Sequence, residues 1–68
     1  MDEEVFNSQL RKFLKKVGIQ SQREIEQAVR SAISAGTLDV TQTLTSRVVL
    51  QVPGLGVDVT IEDVIKLS

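Results

Sequence analysis

The chain of 68 residues has no cysteine, histidine, tryptophan or tyrosine, and its two aromatic residues are Phe6 and Phe13. Without cysteine, neither a disulfide nor a thiolate metal ligand can form. Without histidine, the chain also lacks the most common general acid–base group and the usual Ser–His or Cys–His nucleophile pair. These absences argue against an enzyme, and we predict no cofactor, no metal site and no small-molecule substrate.

An excess of one charge and long apolar runs are missing too. Eight basic and nine acidic residues leave a net charge of -1, whereas a general polyanion binder should be visibly basic. No apolar run approaches the roughly 18 residues that a membrane span needs. The first residues are acidic and polar, unlike the basic and then apolar start of a signal peptide. We therefore predict a soluble, cytoplasmic protein without a membrane partner.

The length predicts a single domain over residues 1–68. A domain of this size buries only about 60% of the surface of its unfolded chain, so its stability is marginal. Because aromatic residues are scarce, the core must consist of valine, isoleucine, leucine and alanine. Oligomerisation is a common remedy for such a small core.

The spacing of apolar residues predicts a first amphipathic helix over about residues 3–17. One face repeats at i, i+4, i+7, i+8 and i+11 and comprises Phe6, Leu10, Phe13, Leu14 and Val17. Acidic residues begin this segment and basic residues lie near its end, as the helix dipole favours. Gly18 follows the last apolar residue, where a left-handed backbone often terminates a helix. We therefore predict a helix end and a turn at Gly18.

A second amphipathic helix is predicted over about residues 21–35. Ser21 and Glu24 have the spacing of a capping box, in which each side chain bonds to the other residue's backbone N–H. The apolar stripe that follows comprises Ile25, Ala28, Val29, Ala32 and Ile33. Glu26 and Arg30 are spaced for an ion pair on one helix face. Gly36 is placed to end this helix.

From residue 37 the apolar period changes to two, which is typical of half-buried strands. We predict a firm strand over residues 46–52 and a loop over 37–45, with a short extended piece inside this loop as the alternative. Pro53 and Gly54 fit the central positions of a type II turn, because proline presets φ and glycine accepts a positive φ. An antiparallel second strand follows over residues 57–62.

The tail, residues 64–68, fits either a third strand after a turn at Glu62 and Asp63 or a short helix, and the strand is favoured. The fold class is therefore α+β. We predict two N-terminal amphipathic helices packed on one face of a small antiparallel β-meander.

The one concentration of charge is basic and comprises Arg11, Lys12, Lys15, Lys16 and Arg23. It could bind an anionic partner such as nucleic acid. A solvated helix face explains the same pattern and is favoured. The segment also resembles the turn of a helix-turn-helix, but that motif would bury Glu24 and Gln27 instead of Ile25 and Ala28, so its register fails by one residue.

Two motifs of the helical half carry a resemblance to a known family. The motifs RKFLKKVG (residues 11–18) and SQREIE (residues 21–26), together with residues 6–7 and 28–29, resemble a family of small bacterial proteins of unknown function. The resemblance implies a bacterial stand-alone domain of about this length. It implies no activity and no site.

These observations predict a non-enzymatic module that associates with itself, as a homodimer, or with an unknown protein. Val5 and Val49 are the candidate interface residues, because Val5 borders the helical stripe and Val49 alternates onto the polar face of its strand. Ordinary surface valines are the alternative explanation for both. The alternative function is a weak nucleic-acid-binding protein that uses the basic residues above, although we do not expect nucleic acid to be the partner.

Overall fold

The computed structural model describes all 68 residues. It contains one α-helix, α1 (Glu3–Ser34), and two β-strands, β1 (Thr43–Val52) and β2 (Val57–Lys66), with a 3₁₀ turn at Pro53–Leu55. The predicted α+β class is confirmed, but one long helix replaces the two that were predicted. Contacts divide the chain into two units, Met1–Thr37 with the helix and Leu38–Ser68 with the strands.

The start of α1 is capped by a side chain. The Asp2 carboxylate accepts hydrogen bonds from the backbone N–H groups of Glu4, at 3.0 Å, and Val5, at 3.1 Å. These bonds satisfy donors that have no partner within the helix. Glu3 and Glu4 place further negative charge at the positive end of the helix dipole. The predicted start of the helix is confirmed.

The end of α1 is a Schellman motif built on Gly36. Gly36 has a φ of 74°, a left-handed conformation that favours glycine. Its N–H donates to the carbonyl of Ile33 at 3.1 Å, and the N–H of Thr37 donates to the carbonyl of Ala32 at 2.9 Å. The predicted helix end at Gly36 is confirmed.

The predicted break at Gly18 is wrong. α1 continues through Gly18, whose φ is not positive, and Ser21 lies inside the helix rather than at a helix start. A glycine inside a helix costs about 1 kcal/mol relative to alanine. Ending the helix here would instead remove the intrahelical partners of several N–H and C=O groups on both sides. The glycine penalty is the smaller cost, so the helix is continuous.

The apolar spacing across Gly18 is the sequence signal for this continuity. Leu14 and Ile25 are 11 residues apart, and so are Val17 and Ala28. Since 11 residues make almost exact whole turns of an α-helix, both pairs lie on one side of a single helix. If two separate helices met at Gly18, the apolar residues of one would not need to keep this spacing from those of the other.

β1 and β2 form a two-stranded antiparallel hairpin, paired from Thr43 opposite Lys66 to Val52 opposite Val57. The predicted antiparallel pairing of the two strands is confirmed. The predicted third strand is wrong, because β2 runs straight through Asp63 to Lys66. β1 begins three residues earlier than predicted, and its first residues pair with the end of β2. Because the residues from Asp63 to Lys66 stay paired with β1, the chain does not turn at Asp63.

The connection between the strands also differs from the prediction. Positive φ falls on Gly56, at 65°, and not on Gly54 as a type II turn at Pro53 requires. Pro53 begins a 3₁₀ turn, which suits its fixed φ. The Gly56 N–H donates to the Pro53 carbonyl at 3.4 Å. Gly56 is therefore the glycine that this turn requires.

A hydrogen-bonded turn precedes β1. The Asp39 carboxylate accepts bonds from the Thr41 N–H at 2.9 Å and from the Thr41 hydroxyl at 3.0 Å. The Gln42 side chain accepts a bond from the Asp39 N–H at 2.7 Å. The bonds from the Thr41 backbone and hydroxyl lower the pKa of Asp39, since they stabilise its charged form.

Candidate interaction surfaces

No residue of the chain is buried, although 41% of the residues are hydrophobic. The aliphatic residues that the composition assigns to a core lie on the surface instead.

The first exposed apolar surface runs along α1, and we call it the helix stripe. It recurs every three or four residues and comprises Phe6, Leu10, Phe13, Val17, Ser21, Ile25, Ala28 and Ala32. Phe13 is 51% exposed and Leu10 is 42% exposed. Leu14 and Val29 lie beside the stripe and widen it. A helix with such a stripe normally packs it against another apolar surface.

The second exposed apolar surface is one face of the hairpin, and we call it the hairpin face. It comprises Leu44, Val48, Leu50 and Val52 from β1, and Val57, Val59, Ile61 and Ile65 from β2. The pairing register places these residues directly opposite one another, as with Val48 and Ile61. Ile61 is 58% exposed. The pair of Ser46 and Asp63 is the one polar interruption of this face.

The two valines that the sequence suggested as interface residues lie outside both apolar surfaces. Val49 pairs with Thr60 on the polar side of the hairpin and is 59% exposed. Val5 is 56% exposed, and it lies about 100° around the helix axis from Phe6. The sequence therefore drew attention to isolated valines, while the continuous apolar surfaces comprise residues that it assigned to the core.

The predicted basic residues, Arg11, Lys12, Lys15, Lys16 and Arg23, all lie on the one helix. Because α1 is continuous, Arg23 falls on the same side as Lys12 and Lys16, away from the helix stripe. A shallow groove on this side is lined by Lys12, Lys15, Lys16, Ile19, Gln20 and Arg23. None of the five basic residues forms an ion pair within the chain. Arg11 lies nearer to the helix stripe than the others.

The predicted pair on the helix surface is confirmed. The guanidinium of Arg30 lies 3.6 Å from the carboxylate of Glu26. Gln22, one turn earlier, donates a hydrogen bond to the same carboxylate at 2.7 Å. Both contacts are exposed, so they stabilise the helix by only a few tenths of a kcal/mol each, in the range of about 0.2–0.5.

Two further features bear on the kind of site present. No three acidic, histidine or cysteine side chains are grouped closely enough to bind a metal ion. No helix is both long enough and apolar enough to cross a membrane. The cytoplasmic location stays a prediction.

Comparison with known proteins identifies one relationship. No curated protein and no solved structure is significantly similar to the chain. The sequence profile of a family of unknown function, DUF6494, matches residues 1–68, the whole of the chain. The match agrees with the resemblance noted from the helical motifs. The chain belongs to the DUF6494 family.

Proposed function

We propose that this protein is a non-enzymatic module that associates with itself, and that a second copy supplies the apolar contacts missing within one chain. The observation that carries the proposal is the absence of any buried residue in a chain with two continuous apolar surfaces. Neither the helix stripe nor the hairpin face contains a charged residue, except for Asp63 on the hairpin face. Such surfaces are typical of contacts between subunits.

Neither unit is expected to be stable on its own. A two-stranded hairpin is at best marginally stable alone in water. A lone helix also gains most of its stability from packing of its apolar face. Association would therefore stabilise both units.

The acidic side chains support a non-enzymatic role, because several of them already have structural partners. Asp2 caps α1, and Asp39 holds the turn before β1. Glu62 lies opposite Arg47 in the hairpin, with its Oε2 at 3.2 Å from the arginine Nε. Glu26 pairs with Arg30. These contacts account for four of the nine acidic side chains as structural groups, and none of the four is buried.

Sedimentation equilibrium over a wide concentration range tests the proposal. We expect a dimer at micromolar concentration, and far-UV circular dichroism should lose helix signal on the same dilution curve as the mass falls. A melting temperature that rises with protein concentration would support linked folding and association. A monomer that melts cooperatively at a temperature independent of concentration would overturn the proposal, since one chain would then cover its own surfaces.

The alternative function, weak nucleic-acid binding, is supported by the basic residues that have no acidic partner. It predicts binding to a mixed-sequence DNA duplex at low salt, with affinity that falls steeply as salt rises. Replacing Lys12, Lys16 and Arg23 together by glutamine should abolish such binding. The matched control replaces Arg47 by glutamine, which removes a cation that already has a partner. Binding that the triple variant leaves unchanged would exclude the basic side of α1.

A further inference from the structure

The spacing of the helix stripe is the same in both directions along α1. From Phe6 to Ala32 its members are separated by 4, 3, 4, 4, 4, 3 and 4 residues, and this series reads identically backwards. Its centre is residue 19, near the middle of Glu3–Ser34. An antiparallel pair of identical helices related by a two-fold axis needs this property. When the axis is level with residue 19, each position n faces position 38 − n of the other copy, which we call its mirror position.

Side-chain sizes complement one another across this centre. The mirror position of Phe6 is Ala32, and the mirror position of Leu10 is Ala28. The large residues of the first half of the stripe would therefore meet the small residues of the second half. Alternation of large and small residues across facing positions fills space without voids. A parallel pair would instead place phenylalanine against phenylalanine at one end and alanine against alanine at the other.

The charges along α1 agree with the same arrangement. Residues 11–16 contain four basic residues and no acidic one. In an antiparallel pair centred on residue 19 this segment lies level with residues 22–27 of the second copy, where Arg23, Glu24 and Glu26 give a net charge of -1. In a parallel pair the basic segment would lie level with its own copy, and the two would repel each other, most of all at low ionic strength.

We propose that two copies of this chain pair their α1 helices antiparallel through the helix stripe, with the two-fold axis passing between the stripes at the level of residue 19. The inference rests on the proposed self-association and adds its surface, direction and register. Phe13 then packs against Ile25 of the second copy, and Val17 packs against Ser21. Residue 19 marks the level of the two-fold axis along the helix, and its own side chain lies on the side of the helix opposite the stripe. The basic side of each helix, with Lys12, Lys16 and Arg23, faces outwards.

Cysteine cross-linking tests the direction of pairing, and the chain offers a background without cysteine. The variants are Leu10→Cys and Ala28→Cys, prepared separately and then mixed under mild oxidation. A disulfide needs Cα atoms within about 7 Å. In the antiparallel pair, position 10 faces position 28, whereas the two copies of position 10 are about 27 Å apart along the axis. We therefore expect a disulfide between the two variants in the mixture and none in either variant alone.

Spin labels provide a second measurement that leaves the stripe intact. Glu4→Cys and Ile19→Cys both carry the label outside the helix stripe. The antiparallel pair separates the two copies of position 4 by about 45 Å along the axis and leaves the two copies of position 19 level with each other. Double electron–electron resonance should therefore give a long distance for the first variant and a short distance, close to two helix diameters or about 20–25 Å, for the second.

The outcomes separate this inference from the proposed function. A dimer whose single variants cross-link with themselves, or whose two labelled positions give equal short distances, has parallel helices and overturns the antiparallel arrangement alone. A dimer that gives no cross-link and no short distance at position 19 covers the stripe with another surface, such as the hairpin face, and also overturns it. A monomer at all concentrations overturns both the self-association and the pairing.

Discussion

The helical unit and the hairpin unit satisfy their backbone hydrogen-bonding groups in different ways. In α1, every backbone hydrogen bond between the caps joins residues four apart, so the element depends on neighbours in the chain. In the hairpin, Thr43 lies opposite Lys66, so the backbone hydrogen bonds join residues that are far apart in the sequence. Yet each unit leaves one apolar surface exposed. Local hydrogen bonding can therefore complete an element without completing a fold, because burial needs a second surface.

The comparison also shows where each unit is weakest. α1 is capped at both ends and carries its one interior glycine at Gly18. The hairpin has two strands only, so the outer edge of each strand has no neighbouring strand to bond. We therefore expect the helix stripe, the hairpin face, the glycines and the turn at Asp39 to contribute unequally to stability and association.

The largest effect is expected in the helix stripe. Replacing Phe13 by glutamine keeps helix propensity high and removes an apolar contact worth about 1.5–3 kcal/mol. Because the symmetric dimer contains this contact twice, its dissociation constant should rise by about 100- to 10,000-fold. The matched control is Ile19→Gln, which changes an apolar residue on the other side of the helix. Equal effects in sedimentation equilibrium would show that the stripe is not the contact surface.

The next largest effect is expected on the hairpin, where two adjacent valines point to opposite faces. Val48 lies on the hairpin face, and Val49 lies on the polar face beside Thr60. Val48→Lys should destabilise the folded state by about 1–3 kcal/mol, because it places a charge where an apolar side chain is covered on association. Val49→Lys should change stability by less than about 0.5 kcal/mol. Thermal melts at equal concentration measure both, and the reverse order would identify the polar face as the interface.

A smaller and opposite effect is expected at the glycines. Gly18→Ala should stabilise the protein by about 1 kcal/mol, since the backbone is helical there and an added Cβ meets no atom within 4 Å. Gly56→Ala should destabilise it by a similar amount, about 1 kcal/mol, because φ is positive at that position. Chemical denaturation measures both changes. Loss of stability in Gly18→Ala would indicate that the helix does break there.

The smallest effect is expected from Asp39 and depends on pH. Hydrogen bonds from Thr41 lower the pKa of this carboxyl in the folded state. The turn is therefore fully stabilised above the ordinary carboxyl pKa of about 4, and the contribution is lost as the pH falls through the lowered folded value. Carbon-detected NMR titration of Asp39 should show this lowered pKa. In Thr41→Ala the pKa should move only part of the way back towards the ordinary range, because the backbone N–H, the larger cause, remains; an unchanged pKa would exclude the Thr41 hydroxyl as a contributor.

Features with a local chemical signature could be predicted from single residues. The helix start at Asp2, the helix end at Gly36 and the pair of Glu26 and Arg30 all follow from neighbours within one or two turns. The errors at Gly18 and at Asp63 arose because a favourable local signal competes with continuation of the element. A glycine or a polar residue permits a break there, but continued hydrogen bonding on both sides costs less.

The helical first half, the paired strands of the second half and the apolar side of each could be predicted from the sequence alone, because helix and strand periods and caps are properties of short segments. The sequence also contained the two apolar surfaces, including the symmetric spacing about residue 19. The structure, in contrast, shows that one helix continues through Gly18 and that β2 stays paired with β1 up to Lys66 without a third strand. A glycine or a polar residue is compatible with either a break or a continuous element, and the hydrogen bonds made along the whole element decide between the two.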